Sequence, residues 1–329
     1  MRRIALIGAG TGQSQILRGL RNAPARVTAI VGVTDNGGHS GLLRRRLRIP
    51  AVGDLRNCLA ALAPRGSRWE RLLSTRFSEG ALDGISVGNL VLASLAQSTG
   101  SVTRAAERMC GLVGSRHRVI PAGDADAQVG VELKSGARIV GEWEILQRKD
   151  PSRIVRVFHE PAFRAPPEAR RAIEQADLVV LCPGTLFTGV LSCAIAQGLP
   201  QALRRSRARF VMILNIMTQP GQTAELTARG HVEAVQRAVG RRPDAVVVNT
   251  GRPLPSHLRL YARLGARPVE DDLGPDAWRA DLVYRRDADH EVDRGRAIPS
   301  LPHLIRHDPG AVARLVRRLG YMQLLRTSS

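Results

Sequence analysis

Short apolar runs alternate along the chain with stretches in which apolar residues recur every three or four positions. Residues 3–7 form the first run. Gly8-Ala9-Gly10-Thr11-Gly12 follows, and Ile16, Leu17 and Leu20 then recur at helical spacing. A second buried strand, VTAIVGV, spans 27–33 and ends at Thr34-Asp35-Asn36-Gly37-Gly38. Helical spacing then predicts helices over 54–63, 69–77, 87–97 and 102–110. Residues 129–133 and 138–144 flank Lys134-Ser135-Gly136-Ala137 and read as a half-exposed β-hairpin, which 155–158 extends. Further strands are predicted over 178–182, 209–215 and 245–249. A last helix is expected over 310–319, with Gly320 as its stop.

Strands that alternate with helices imply an α/β fold: a mostly parallel sheet covered on both faces. No Gly/Ser/Pro linker divides the chain. The reading is one domain over 1–329, with a β-rich insertion near 119–158. The N-terminus, MRRIALIGAGTG, places basic residues before an apolar run, as a signal peptide does. That run is short and broken by glycines, so it reads as a buried strand. No apolar run approaches the ~18 residues of a membrane span.

Composition changes this picture in two places. Cys58, Cys110, Cys182 and Cys193 form no CxxC pair and suit a reducing cytoplasm as small core residues. The net charge is +20, and nearly all of it is arginine, because Lys134 and Lys149 are the only lysines. Such a charge suits an anionic partner. The basic residues recur along the whole chain, however, and most fall on predicted helices. The bulk of them are read as a solvated surface, with arginines beside glycine loops as the exception. Charge alone, without a helix-turn-helix or an aromatic stacking platform, does not make a nucleic-acid reader.

In a doubly wound sheet, ligands lie beyond the carboxyl ends of the strands. Four loops stand there: GAGTG, TDNGGHSG, CPGT and NIMTQPG. Gly8, Gly10 and Gly12 let backbone N–H groups approach an anion at a helix N-terminus, and Thr11 adds a hydroxyl. A tight strand-to-helix turn would use the same glycines. The dinucleotide fingerprint needs a glycine where Gln13 stands, which argues against a nicotinamide dehydrogenase. Asp35 is placed to hold a ribose hydroxyl or a metal–phosphate, or else to cap the helix after Ser40. Gly37 and Gly38 suit close approach of a ligand, and His39 reads as a solvated loop residue. Asp54 suits an N-cap. Arg56 in the same first turn opposes the helix dipole, a cost that a nearby anion would offset. Asn57 and Asn89 are amides in first turns, able to meet a base or sugar. Gly184 and Thr185 complete the rim with Asn215 and Thr218. Asn215 follows a buried strand, so its amide needs a partner, either a ligand or a neighbouring loop. Arg44, Arg45, Arg46 and Arg48 either hold a phosphate or face solvent.

Taken in order, GAGTG (8–12), DNGGHSG (35–41), GDLRNCLAAL (53–62), SVGNLVLASL (86–95), PGTLFTGVL (183–191), NIMTQPGQT (215–223) and RHD (306–308) resemble the gluconeogenesis factor (YvcK-like) family, within the wider CofD-like superfamily. The resemblance implies a Rossmann-like three-layer fold in the bacterial cytoplasm. It also implies binding of nucleotide sugars of the UDP-N-acetylglucosamine type, and a role in cell shape and peptidoglycan synthesis on gluconeogenic carbon sources. The related 2-phospho-L-lactate transferases are magnesium-dependent enzymes. The chain departs from the family pattern at Ala9, Asn36, His39 and Ile85, where the family usually has glycine, a second acid, serine and histidine. Loss of an acid beside Asp35 weakens a two-acid magnesium site.

These observations make a nucleotide-sugar-binding regulator the leading expectation, with no resident metal or cofactor. Gly8–Gly12 and Gly37–Gly38 would approach the diphosphate, and Arg56 would neutralise it. Asp35 or Asn36 would hold a sugar hydroxyl, Asn215 with Thr218 would meet the uridine or ribose, and Ser40 is a further ligand-binding candidate. The alternative is a phospholactyl-transferase-like enzyme in which Asp35 and Asp54 hold Mg²⁺. A homodimer is compatible with this fold.

Overall fold

The computed structural model describes residues 1–285 and 304–327. In chain order the helices are α1 (Gly10–Leu20), α2 (Gly38–Leu47), α3 (Gly53–Leu62), α4 (Arg68–Ser74), α5 (Val87–Thr99), α6 (Val102–Leu112), α7 (Glu142–Leu146), α8 (Pro167–Glu174), α9 (Ser192–Ala194), α10 (Leu199–Arg205), α11 (Ala228–Val239), α12 (Pro255–Arg263) and α13 (Pro309–Thr327). The strands are β1 (Arg2–Gly8), β2 (Ala25–Val31), β3 (Arg118–Pro121), β4 (Gln128–Leu133), β5 (Arg138–Val140), β6 (Ile154–Glu160), β7 (Leu178–Leu181), β8 (Arg209–Ile213), β9 (Ala245–Asn249) and β10 (Trp278–Ala280).

Seven strands form one parallel sheet in the order β10-β9-β8-β7-β1-β2-β3. All four residues of β7 are buried. Successive strand residues point to opposite faces, so both faces must be covered, which is what an unbroken apolar run signals. The chain steps outward from β1 through β2 to β3. It then returns to the other side of β1 as β7 and steps outward again through β8, β9 and β10. The order therefore reverses between β1 and β7, and the crevice beyond their carboxyl ends is where a doubly wound sheet takes its ligands.

The insertion is a separate antiparallel sheet of order β5-β4-β6. It begins later than the sequence suggests, because Arg118–Pro121 joins the main sheet beside β2 as β3. The expected strand over 138–144 also stops early. Gly141 takes φ +107°, a turn that L side chains resist, and the next five residues coil into α7. At the C-terminus Gly320 does not stop the helix. α13 runs on to Thr327. All four cysteines are free and buried, as expected of small core residues. Among the described residues no helix is long and apolar enough to cross a membrane.

Candidate functional site

The loops after β1 and β7 are locked together by glycines. A Cβ at Gly12 would stand 2.0 Å from the Pro183 carbonyl oxygen, and one at Gly8 would stand 2.9 Å from Cys182 Cβ. Those two positions need glycine for packing. Gly10 differs: it takes φ +69°, and a Cβ there would meet nothing within 4 Å. Of the three glycines, Gly10 alone faces open space. Gln13 is fully buried, and its amide donates to Leu6 O at 3.2 Å and Ile30 O at 2.9 Å. It stitches β1 to β2 where a dinucleotide fold would have its third glycine.

Asp54 corrects one expectation. It is not the N-cap of α3, a position taken by Val52. Its Oδ2 instead accepts the Gly10 N–H at 2.7 Å. A carboxylate from α3 thus sits at the N-terminus of α1, where the helix dipole favours negative charge. Asp35 likewise does not cap the helix after Ser40. Its Oδ1 accepts the Gly37 N–H at 2.8 Å, and α2 starts at Gly38 with Gly37 as a cap that has no side-chain bond. The readings placed on the side chains of His39 and Ser40, and on the surroundings of Gly38, lie outside the described residues.

Beside Asp35 stands a residue that the sequence reading missed. The Glu142 carboxyl, from the first turn of α7, is hydrogen-bonded to Asp35 and lies near Asp54. Thr188 Oγ1 donates to Glu142 Oε1 at 3.0 Å. Burial of the carboxyl, and then the charge of and hydrogen bond to Asp35, hold the Glu142 pKa well above the usual carboxylate range. The residue as a whole is half-buried, but its carboxyl is enclosed, and the enclosed group sets the pKa. Its neutral, proton-bearing form is therefore favoured beside Asp35. Gln222 extends this chain of polar groups. Its Oε1 accepts from Phe187 N at 3.1 Å and Thr188 N at 3.2 Å, and its Nε2 donates to Thr188 Oγ1 at 3.0 Å. The turn it holds, Leu186–Leu191, is a π-helix, an uncommon form found often at functional sites. Thr188 and Gln222 lie inside motifs visible in the sequence. Glu142 lies on what reads as a strand, so nothing marked it.

Asn36 clamps α7. Its Nδ2 donates to Glu144 Oε2 at 3.3 Å and Gln128 Oε1 at 3.4 Å, while its Oδ1 accepts the Trp143 N–H at 3.1 Å. A carboxylate could not donate these bonds and would face Glu144, which explains an amide at this position.

Other expected ligand groups are committed to protein partners. Asn215 is satisfied by a neighbouring loop, since it accepts from Gly184 N at 2.9 Å and donates to Gly184 O at 2.6 Å. Arg56 and Asn89 are buried together between α3 and α5, with Nε donating to Oδ1 at 3.4 Å. Thr218 is likewise committed to protein partners. It is buried and exchanges hydrogen bonds with Arg267 of 2.7 and 3.0 Å, in the region of a second apolar cluster that includes Met217 and Tyr261. Arg44 turns inward to Asp126 and Thr34 O, whereas Arg45, Arg46 and Arg48 face solvent. Ile85 is a buried core residue. Half-buried Asp35, Asn36, Gly37, Gly184 and Thr185 stand on the loops of the switch-point edge and Gly10, Thr11 and Gly12 in the first turn of α1, while Asn57, also half-buried, lies within α3. Among the described residues no group of three or more His, Cys, Asp or Glu is arranged to hold a metal ion.

Comparison with known proteins decides the family. The model for the family described as 2-phospho-L-lactate transferase CofD matches residues 4–287. The chain belongs to the CofD family. Within it, this CofD-family chain is 37% identical over 318 residues to the gluconeogenesis factor of Bacillus subtilis, covering 95% of this chain and 96% of that one. It is 38% identical over 269 residues to the gluconeogenesis factor of Halalkalibacterium halodurans, covering 81% and 83%. A solved structure of a UPF0052-family protein from Bacillus halodurans superposes with a TM-score of 0.86 at 34% identity, covering 96% and 99%.

Proposed function

We propose that this chain is a cytoplasmic gluconeogenesis factor that binds a nucleotide sugar of the UDP-N-acetylglucosamine type and acts as a regulator, serving cell shape and peptidoglycan synthesis on gluconeogenic carbon sources. The observation that carries the reading is the switch-point edge. There Gly10 faces open space at the start of α1, beside Gly184 and Thr185, with Asp35 and Asn36 on the next strand's loop. Likeness to proteins named gluconeogenesis factor supports the biological role.

The diphosphate lies against the backbone amides of Thr11, Gly12 and Thr185, since the Gly10 N–H is given to Asp54 and the Gly184 N–H to Asn215; amides rather than side-chain cations bind it. Asp35 accepts from sugar hydroxyls. The raised pKa of Glu142 favours its neutral form, which lowers the negative charge that the diphosphate meets. Asn215 and the Arg56–Asn89 pair shape the loops from behind. Calorimetry with UDP-N-acetylglucosamine and UDP-glucose is the test. A Kd below about 1 mM, weakened tenfold or more by Asp35→Ala, is expected. No heat at millimolar ligand would remove the reading.

A magnesium-assisted phospholactyl transferase is the second reading, favoured by the carboxyl that Glu142 adds beside Asp35. Magnesium takes one or two carboxylates together with substrate phosphates. Among the described residues no three-ligand site stands ready, and Asp54 is engaged by Gly10. Turnover of a phospholactyl-nucleotide donor, lost in Asp35→Asn, would establish this reading over the first.

A further inference from the structure

A cavity of about 600 Å³ opens at the other end of the β1-β2-β3 half of the sheet, along the edge strand β3 and between α6 and α8. None of its lining residues belongs to the loops described above. Val119, Ile120, Ala165, Pro166 and Pro167 give it an apolar floor. Its charged rim carries Arg104, Arg118, Arg164 and Arg170 against Glu107, Asp124 and Glu168.

The acids are already engaged. Glu107 pairs with Arg118 at 3.7 Å, and Glu168 pairs with Arg171 at 3.2 Å. Asp124 accepts from Ser101 Oγ at 3.0 Å and Thr103 N at 2.8 Å. Arg104 is bonded to the Thr99 carbonyl oxygen. Two guanidinium groups are left over. Among the described residues the side chains of Arg164 and Arg170 make no hydrogen bond and no ion pair. Arg170 Nε and Thr103 Oγ1, both in the wall, are shielded from solvent and have no partner. Buried donors without acceptors are rare in folded proteins. Thr103 Oγ1 and the guanidiniums of Arg164 and Arg170, three unpartnered groups on one cavity wall, mark a surface built to receive acceptors from outside.

We infer that this cavity binds a small organic anion, a phosphate or carboxylate joined to an apolar body, at a site separate from the switch-point edge. The chemistry follows from the lining. Guanidinium forks match the paired oxygens of carboxylate and phosphate, the floor covers the apolar part, and the volume lies in the range of small-molecule pockets. The rim's net charge is too small and its surface too concave for a nucleic-acid track.

Titration calorimetry on the full chain with phenyl phosphate, phenylacetate and inorganic phosphate tests this. Phenyl phosphate or phenylacetate should bind with a Kd below about 1 mM, and the tighter of the two identifies the headgroup. Inorganic phosphate should bind at least tenfold more weakly, because it leaves the floor uncovered. Arg164→Ala and Arg170→Ala should each weaken the organic anion tenfold or more. Arg170→Lys, which keeps the charge but not the fork, should show an intermediate loss. Affinity for UDP-N-acetylglucosamine should be unchanged in all three variants. Arg164 is exposed, so its variant folds and carries the test even if the Arg170 variants do not. No heat from either organic anion at about 10 mM, or undiminished binding in Arg164→Ala, overturns the inference.

Discussion

At the scale of single residues, the glycines of the first loop serve different ends, and substitution separates them. Gly12→Ala would drive a methyl to within 2.0 Å of a backbone oxygen, which only a shift of the whole β7 loop could relieve. Gly10→Ala meets open space, and its cost is the left-handed backbone alone, about 1–2 kcal/mol. Denaturant unfolding should show Gly10→Ala destabilised by that amount and Gly12→Ala by several kcal/mol more. Equal losses would mean that the two loops are not in contact. Glu142 offers a second test. Its pKa is raised in the folded state, while the unfolded chain ionises at about 4.3. Between those values the native state binds the extra proton, so stability falls as pH rises, by up to ~1.4 kcal/mol per pH unit. Glu142→Gln can still donate to Asp35 and accept from Thr188 but has no proton to lose. Relative to the native chain, its stability should rise with pH above about 4.3. Parallel pH–stability curves for the two proteins would show that Glu142 ionises normally.

At the scale of elements, α7 shows what a sequence can and cannot disclose. The strands that line the edge were legible because each is a short apolar run closed by a glycine or asparagine. The glycine loops were legible because close approach restricts the residue type. α7 was not, since its five residues are held by Asn36 and by the turn at Gly141 rather than by any periodicity of their own. β10 was missed for a similar reason: Trp-Arg-Ala is no apolar run and becomes a strand only by pairing with β9. The partners within the site were equally hidden. An unpaired amide at Asn215 could be anticipated, but whether ligand or loop would satisfy it depends on the approach of Gly184 in three dimensions. The docking of α7 is open to a direct test. Asn36→Asp loses two donated bonds and sets a charge against Glu144, at a cost of about 1–3 kcal/mol. Hydrogen exchange should quicken at the Trp143 and Ile145 amides while β1 and β2 stay protected. A uniform loss of protection would show that α7 is not a local unit.

At the scale of the whole molecule, charge and burial act together when the solution is acidified. The chain carries 49 basic against 29 acidic side chains, so protonating carboxylates only increases the self-repulsion of a protein already at +20. Shielded histidines add to this effect: burial holds His117, His231, His307 and His159 below the usual imidazole range. His159, in β6, is bonded through Nε2 to Ser192 O at 2.9 Å and stacked on Phe163 at 4.2 Å, and burial pushes its pKa down to about 4. The unfolded histidine titrates at about 6.5 and so takes up a proton first as pH falls. Its contribution is therefore present at neutral pH and is lost between about 6.5 and 4, opposite in sign to that of Glu142. Thermal unfolding should accordingly show a melting temperature that falls across this window. Salt separates the two causes. Raising ionic strength from about 20 to 200 mM screens exposed charges, so it should raise the melting temperature at neutral pH and recover part of the acid loss. The share due to His159 is buried and should resist salt, but it should vanish in His159→Gln, whose own acid loss salt should relieve more fully. A melting temperature that drops on adding salt would mean that exposed ion pairs, rather than net repulsion among arginines, govern this surface.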